Sequence, residues 1–243
     1  MNELISFGGG VNSVALVILL VREDWRGPIV FADTGCEWPD TYCYMQMFEA
    51  VWLKPRGMEI VRLGGEYRAQ GHGRDRRSLV DYCTDYACTP FAGTRWCTQG
   101  WKTDVINHWA AVAGIETQII GIAADEAHRQ KGRNCPLIER GIDRAGCANI
   151  IMAESLPVPH KSGCYICPFQ RVGQWQELWQ RYPDLYARAE DLERLASARR
   201  GEKTVLLADG VHTLADMRHK FEAQMPLFDT ADYESYRPCI CTL

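Results

Sequence analysis

Residues 4–13 read Leu-Ile-Ser-Phe-Gly-Gly-Gly-Val-Asn-Ser and run on into the apolar stretch 14–21, so a short strand, a glycine loop and a helix follow without a linker. Gly8, Gly9 and Gly10 open backbone dihedrals closed to other residues and let a ligand approach the main chain. The following helix turns its unpaired N–H groups and the positive end of its dipole toward the same spot, the usual construction of an anion site. Ser6, Asn12 and Ser13 add side-chain donors. The loop has neither the Gly-Lys-Ser/Thr ending of a Walker A motif nor the spaced glycines of the dinucleotide fingerprint. On these residues alone it is a third kind of nucleotide loop, or only a turn.

Working outward, short β-rich runs alternate with helical patterns, which predicts an α/β fold with a parallel sheet. Strands are expected at residues 4–7, 29–32, 59–63 and 117–122, and helices at 12–23, 39–54 and 103–113. Residues 64–100 carry Gly64, Gly65, Gly71, Gly73, Pro90 and Gly93, and are expected to be a long functional loop or lid. Beyond a turn-rich stretch, helices are expected over 170–182 and 184–200, broken at Pro183, and over 213–223. The expected organisation is a nucleotide-binding domain over 1–169 with the inserted loop 64–100. A helical extension, 170–243, with a cysteine-containing tail, would pack on the same domain.

At 243 residues the chain is long enough to bury a full core, and 47% hydrophobic with 24% charged residues excludes a disordered chain. The longest apolar run, 14–21, is too short to cross a bilayer, and Glu3 stands where a signal peptide carries basic residues. A cytoplasmic protein without membrane partners is therefore expected. A net charge of −4 argues against non-specific coating of nucleic acid. The basic, glycine-rich stretch 68–77 leaves a nucleic-acid substrate open.

Eleven cysteines are many for such a chain, and an odd number cannot pair completely, so metal or thiol chemistry is favoured over disulfides. Cys164-Tyr-Ile-Cys167 and Cys239-Ile-Cys241 form tight pairs. Cys-x-x-Cys between Gly163 and Pro168 suits chelation of zinc or a cluster edge. The remaining cysteines read individually as structural, with Cys83 and Cys88 standing apart in the irregular segment.

Ligands in open α/β sheets sit beyond the carboxyl ends of the strands. Three polar segments fall there: the glycine loop, Asp33-Thr34-Gly35-Cys36-Glu37, and Ala124-Asp125-Glu126-Ala127-His128-Arg129. Thr34 and Glu37, three apart, also read as a capping box for the next helix. With Arg95-Trp96-Cys97-Thr98, Lys102 and the segment 161–169, these motifs in order resemble the phosphoadenylyl-sulfate (PAPS) reductase family of the PP-loop superfamily, over roughly residues 3–170.

The resemblance implies a doubly wound, mostly parallel sheet with helices on both faces, of the adenine nucleotide alpha hydrolase-like type. It implies an enzyme of sulfur transfer or reduction that binds ATP or an adenylyl sulfate. Ser6, Gly8, Gly9, Gly10, Asn12, Ser13, Asp33, Thr34, Glu37 and Lys161 would hold the nucleotide. Magnesium would bridge the phosphates if ATP is cleaved. Cys97, Cys164 and Cys167 would hold a 4Fe-4S cluster, with zinc as the alternative and Cys241 as a fourth ligand. Glu126 and Arg129 would contact substrate, and Cys239 or Cys241 would be a thiol nucleophile. A sulfur donor or thiol reductant protein would be the partner. Two departures stand out. Asn12 replaces the Asp or Lys that separates ATP-cleaving from reductase loops, and Thr98 stands where cluster-bearing reductases have a second cysteine.

Overall fold

The structure, a computed structural model, describes residues 2–69, 75, 77–207 and 209–223. Four strands, β1 (Glu3–Ser6), β2 (Ile29–Ala32), β3 (Ile60–Leu63) and β4 (Thr117–Ile120), form one parallel sheet in the order β3-β2-β1-β4. Ile5 sits opposite both Ile29 and Ile119. The two central strands are buried except for Glu3, and β2 is apolar throughout, as expected for a parallel sheet covered on both faces.

Alternate residues feed two cores. On one face Ile5, Ile29, Phe31, Ile60 and Ile119 meet α1 (Val11–Arg22), α2 (Pro39–Phe48) and α5 (Arg144–Met152). On the other, Leu4, Val30, Ala32 and Leu63 meet Val105, Ile106 and Ala110 of α4 (Asp104–Val112). Each fully buried Leu or Ile contributes roughly 1.5–3 kcal/mol, so these two stripes hold the layers together. The sheet is doubly wound, as the resemblance implied.

Some boundaries differ from the sequence reading. The helix expected over 39–54 leaves α geometry after Phe48 through a π turn, Glu49–Leu53, and a 3-10 turn, Lys54–Arg56, ending at Gly57 with φ 71°. Strand β4 stops at Ile120, before Gly121. The segment 64–100 is no plain loop: it holds a short helix at Gly65–Ala69 and α3 (Leu79–Asp85). Ser78 starts α3 by accepting the Asp81 N–H at 3.1 Å, a local cap that the surrounding glycines obscured.

Helices α6 (Val172–Arg181), α7 (Pro183–Arg200) and α8 (Leu214–Ala223) follow, with Pro183 at the first position of α7. Their Trp175, Leu178, Tyr186 and Phe221 share a core with Trp38, Leu79, Trp101 and Ile166. Buried Glu193 accepts the N–H groups of Leu206 and Leu214 at 2.5 and 2.6 Å, pinning the turn between α7 and α8. Burial pushes its carboxyl up to about 7. Among the described residues, no helix is long and apolar enough to cross a membrane.

Candidate functional site

The strand order reverses at β1, whose neighbours β2 and β4 lie on opposite sides, so the loops after β1 and β4 diverge and leave a crevice. The glycine loop closes its floor. Gly9 has φ 70°, and a Cβ there would stand 2.9 Å from Thr41 Cγ2. Gly121, just past β4, lies so close to the loop that a Cβ would come within 2.9 Å of backbone atoms of Asn12 and Ser13. Ser13 ties the loop to itself, accepting the Gly10 N–H at 3.2 Å and donating to the Gly10 carbonyl at 2.9 Å.

Above the loop is a cleft enclosing about 700 Å³ of space, open solvent included. Lys102, Arg144 and Lys161 reach it from three separate segments, beside Gly8, Gly10, Asn12, Glu126 and Ser162. The Asn12 amide donates to Glu126 Oε2 at 3.2 Å, and Arg129 pairs with the same carboxylate at 2.9 Å. Ser6 Oγ, Asn12 Oδ1 and Glu126 Oε1 are buried with no hydrogen-bond partner within the protein. Unpaired buried polar atoms cost about 1–3 kcal/mol each, so the two of them that line the cation-rich cleft, on Asn12 and Glu126, fit a site built for a polar ligand.

The other expected nucleotide residues are placed differently. Asp33 turns back on its own loop, accepting from Gly35 N at 2.8 Å and Tyr42 Oη at 2.6 Å. Burial and this carboxylate push the Tyr42 hydroxyl well above the usual range. Thr34 and Glu37 do not cap α2, whose cap residue is Trp38. A longer-range pairing claims them: residues 163–165 run antiparallel to 36–38, with Tyr165 N donating to Cys36 O at 2.9 Å and Trp38 N to Gly163 O at 3.0 Å. Cys164 is thereby laid beside Thr34, Sγ to Oγ1 3.2 Å, and within 3.5 Å of Glu37 Oε1.

A second pocket, of about 460 Å³, opens there. Cys97, Cys164 and Cys167 line it with Thr34 and Lys102, against apolar walls that include Leu79, Phe91, Ile166 and Phe169. Lys102 belongs to both pockets, and its Nζ bonds Glu37 Oε1 at 2.7 Å, a carboxylate with no solvent exposure. Burial, then the Cys164 thiol, pushes the Cys97 thiol up, and burial with a bond to Cys164 does the same to Cys36. Among the described residues no three His, Cys, Asp or Glu side chains are close enough to share one metal ion.

Cys239 and Cys241, expected as nucleophile and fourth ligand, lie outside the described residues. In the basic stretch 68–77, Arg68 is buried and donates to the Asp33 carbonyl, and Arg77 pairs with Asp75 and Asp85. Residues 70–74 and 76 lie outside the description. Arg144, Ser162 and the close approach of Gly121 were missed by the sequence reading. Arg144 had a usable signal, since Asp143 caps α5 by accepting Gly146 N at 2.7 Å and places Arg144 in the first turn.

No family model matches this chain. A curated relative, the uncharacterized nin region protein ORF290 of Escherichia phage lambda, is 29% identical over 150 residues, 54% of this chain and 51% of its own length. The chain thus spans about half the length of the curated relative it matches. Among solved structures, a PAPS reductase from Candida auris in complex with phosphate is similar at TM-score 0.49 and 13% identity, over 68% of this chain and 81% of that one. The U34-tRNA thiolase NcsA from Methanococcus maripaludis, with its 4Fe-4S cluster, is similar at TM-score 0.37 and 14% identity, over 93% and 82%.

Proposed function

We propose that this chain is an enzyme of PP-loop type that binds ATP or an adenylyl sulfate over Gly8–Ser13 and transfers or reduces sulfur beside a 4Fe-4S cluster. One observation carries the reading: Lys102 lines both the cation-rich cleft and the thiol pocket, so a nucleotide in the first would meet the sulfur chemistry of the second. Loop amides and the start of α1 would hold phosphate or sulfate oxygens, with Lys102, Lys161 and Arg144 neutralising charge as a group leaves. The buried Asn12 and Glu126 oxygens would be satisfied by the ligand or by magnesium on its phosphates.

Cys97, Cys164 and Cys167 share one largely apolar pocket, and thiolate donors of this kind suit an iron-sulfur cluster, with zinc as the alternative. Cys97, Cys164 and Cys167 would hold a 4Fe-4S cluster, which would supply an iron able to take sulfide. Residues of this chain would shape that place: Thr34 beside Cys164, and Lys102 held at the pocket wall by Glu37.

Two assays on anaerobically prepared protein test the proposal. Release of AMP and pyrophosphate from ATP in the presence of a sulfide donor supports adenylation followed by sulfur transfer, with a nucleic-acid base or a small molecule as acceptor. Sulfite from an adenylyl sulfate and a thiol reductant supports reduction. Binding of neither nucleotide, or stoichiometric zinc without iron, contradicts the reading.

A further inference from the structure

Cys83 and Cys88 line neither pocket, and the reaction proposed above does not use them. Helix α3 ends at Tyr86 with Ala87 in the left-handed region at φ 42°. Ala87 N donates to Thr84 O at 3.1 Å, and Cys88 N to Cys83 O at 2.9 Å. This pair of reversed bonds is a Schellman cap, which forces together the side chains three residues inside the cap and two beyond it. That contact is usually between two hydrophobic residues. Here both positions are cysteine, so the cap sets the two thiols side by side and each acts on the other's titration.

Their surroundings differ. Cys83 is fully buried in the core shared with Trp101 and Tyr165, whereas Cys88 is half-buried at its edge. The guanidinium groups of Arg199 and Arg200, at the end of α7, act on Cys88, and Arg199 Nη1 fixes that end by donating to the Tyr86 carbonyl. The Cys83 thiol and these two cations draw the Cys88 thiol down to about 7. An accessible sulfur with a buried second thiol behind it is the arrangement thiol–disulfide exchange requires.

We propose that Cys83 and Cys88 form a dithiol site that reduces a low-molecular-weight disulfide bearing carboxylates, such as oxidised glutathione, with Cys88 attacking and Cys83 resolving. Cys88 Sγ attacks one sulfur, the substrate S–S bond breaks, and the first thiolate leaves and takes up a proton. Cys83 then loses its proton and attacks Cys88 Sγ, releasing the second thiol. One disulfide is consumed, two thiols are released, and the pair is oxidised by two electrons to a Cys83–Cys88 disulfide. Arg199 and Arg200 suit the substrate's carboxylates. This site stands independently of the nucleotide reading.

The test uses the full chain, reduced and freed of reductant under anaerobic conditions, then mixed with oxidised glutathione and mapped by peptide mass spectrometry. The expected product is a Cys83–Cys88 link, formed at least about tenfold faster at pH 7 than the glutathione adduct on exposed Cys43. Cys83→Ser should accumulate the adduct at Cys88, and Cys88→Ser should leave Cys83 unmodified. Should either variant misfold, alkylation of the natural protein before and after exposure gives the same answer through matched protection of the two cysteines. A stable adduct at Cys88 of the natural protein, adducts only elsewhere, or no reaction at either cysteine overturns the proposal.

Discussion

The glycine-loop cleft and the thiol pocket share Lys102 yet are built by opposite means. The cleft is a backbone construction: three glycines, a helix start and a strand end pressed so close that Gly121 has no room for a Cβ. The thiol pocket is a side-chain construction, assembled when residues 163–165 pair with 36–38, far away in the chain. A backbone site should therefore fail by added bulk. A side-chain site should fail by removal of single atoms, while the fold survives.

The largest expected effect breaks the cleft. Gly121→Val drives methyl groups into the backbone of Asn12 and Ser13, which cannot move aside as a flexible side chain would. It should cost about 3 kcal/mol or more in denaturant unfolding and abolish nucleotide binding. Gly173→Ala, in α6 with open space around it, should be neutral or slightly stabilising.

Next comes the shared residue. Lys102→Met leaves Glu37 buried and uncompensated, for about 3 kcal/mol, and should weaken nucleotide binding about tenfold. Adding Glu37→Gln should return most of the stability but none of the affinity. Recovery of both would show that Lys102 serves the fold alone.

A smaller effect separates the pockets. Cys164→Ser should remove bound iron while changing nucleotide affinity less than about threefold and stability by about 1 kcal/mol. Iron retained at the natural content would exclude Cys164 as a ligand.

The smallest concerns the strap that carries Lys161 and Ser162. His160 Nε2 meets Glu177 at 3.1 Å, and that bond raises the His160 pKa and lowers that of Glu177. The histidine contribution is complete below its unfolded value of about 6.5 and fades as pH rises through the raised folded value; the glutamate side is lost only in stronger acid. His160→Gln should therefore cost about 1 kcal/mol near pH 5.5 and almost nothing near pH 9, read from paired unfolding curves.

The same contrast explains what the sequence disclosed. Strands, layers and the glycine loop were legible because glycine and alternation act over a few residues. For Thr34 and Glu37 a helix cap stood beside a ligand role, because their neighbours, Cys164 and Lys102, are distant in the chain. Asp33 was read as a ligand residue, and within its own loop its Oδ1 accepts from Gly35 N and Tyr42 Oη. Arg144 was passed over because a turn-rich stretch with one short helix, Pro136–Glu139, separates it from the 124–129 motif. The cap joining Cys83 to Cys88 was hidden because Ala87 stands where glycine usually marks a helix end.

The most direct test of one site with two walls is a titration of ATP or an adenylyl sulfate into anaerobically reconstituted protein, followed through the visible absorption of the cluster. The account predicts a saturable spectral change with the same midpoint as nucleotide binding, shifted about tenfold by Lys102→Met. Nucleotide that binds without touching the spectrum, or a protein that takes up no iron at all, would contradict it.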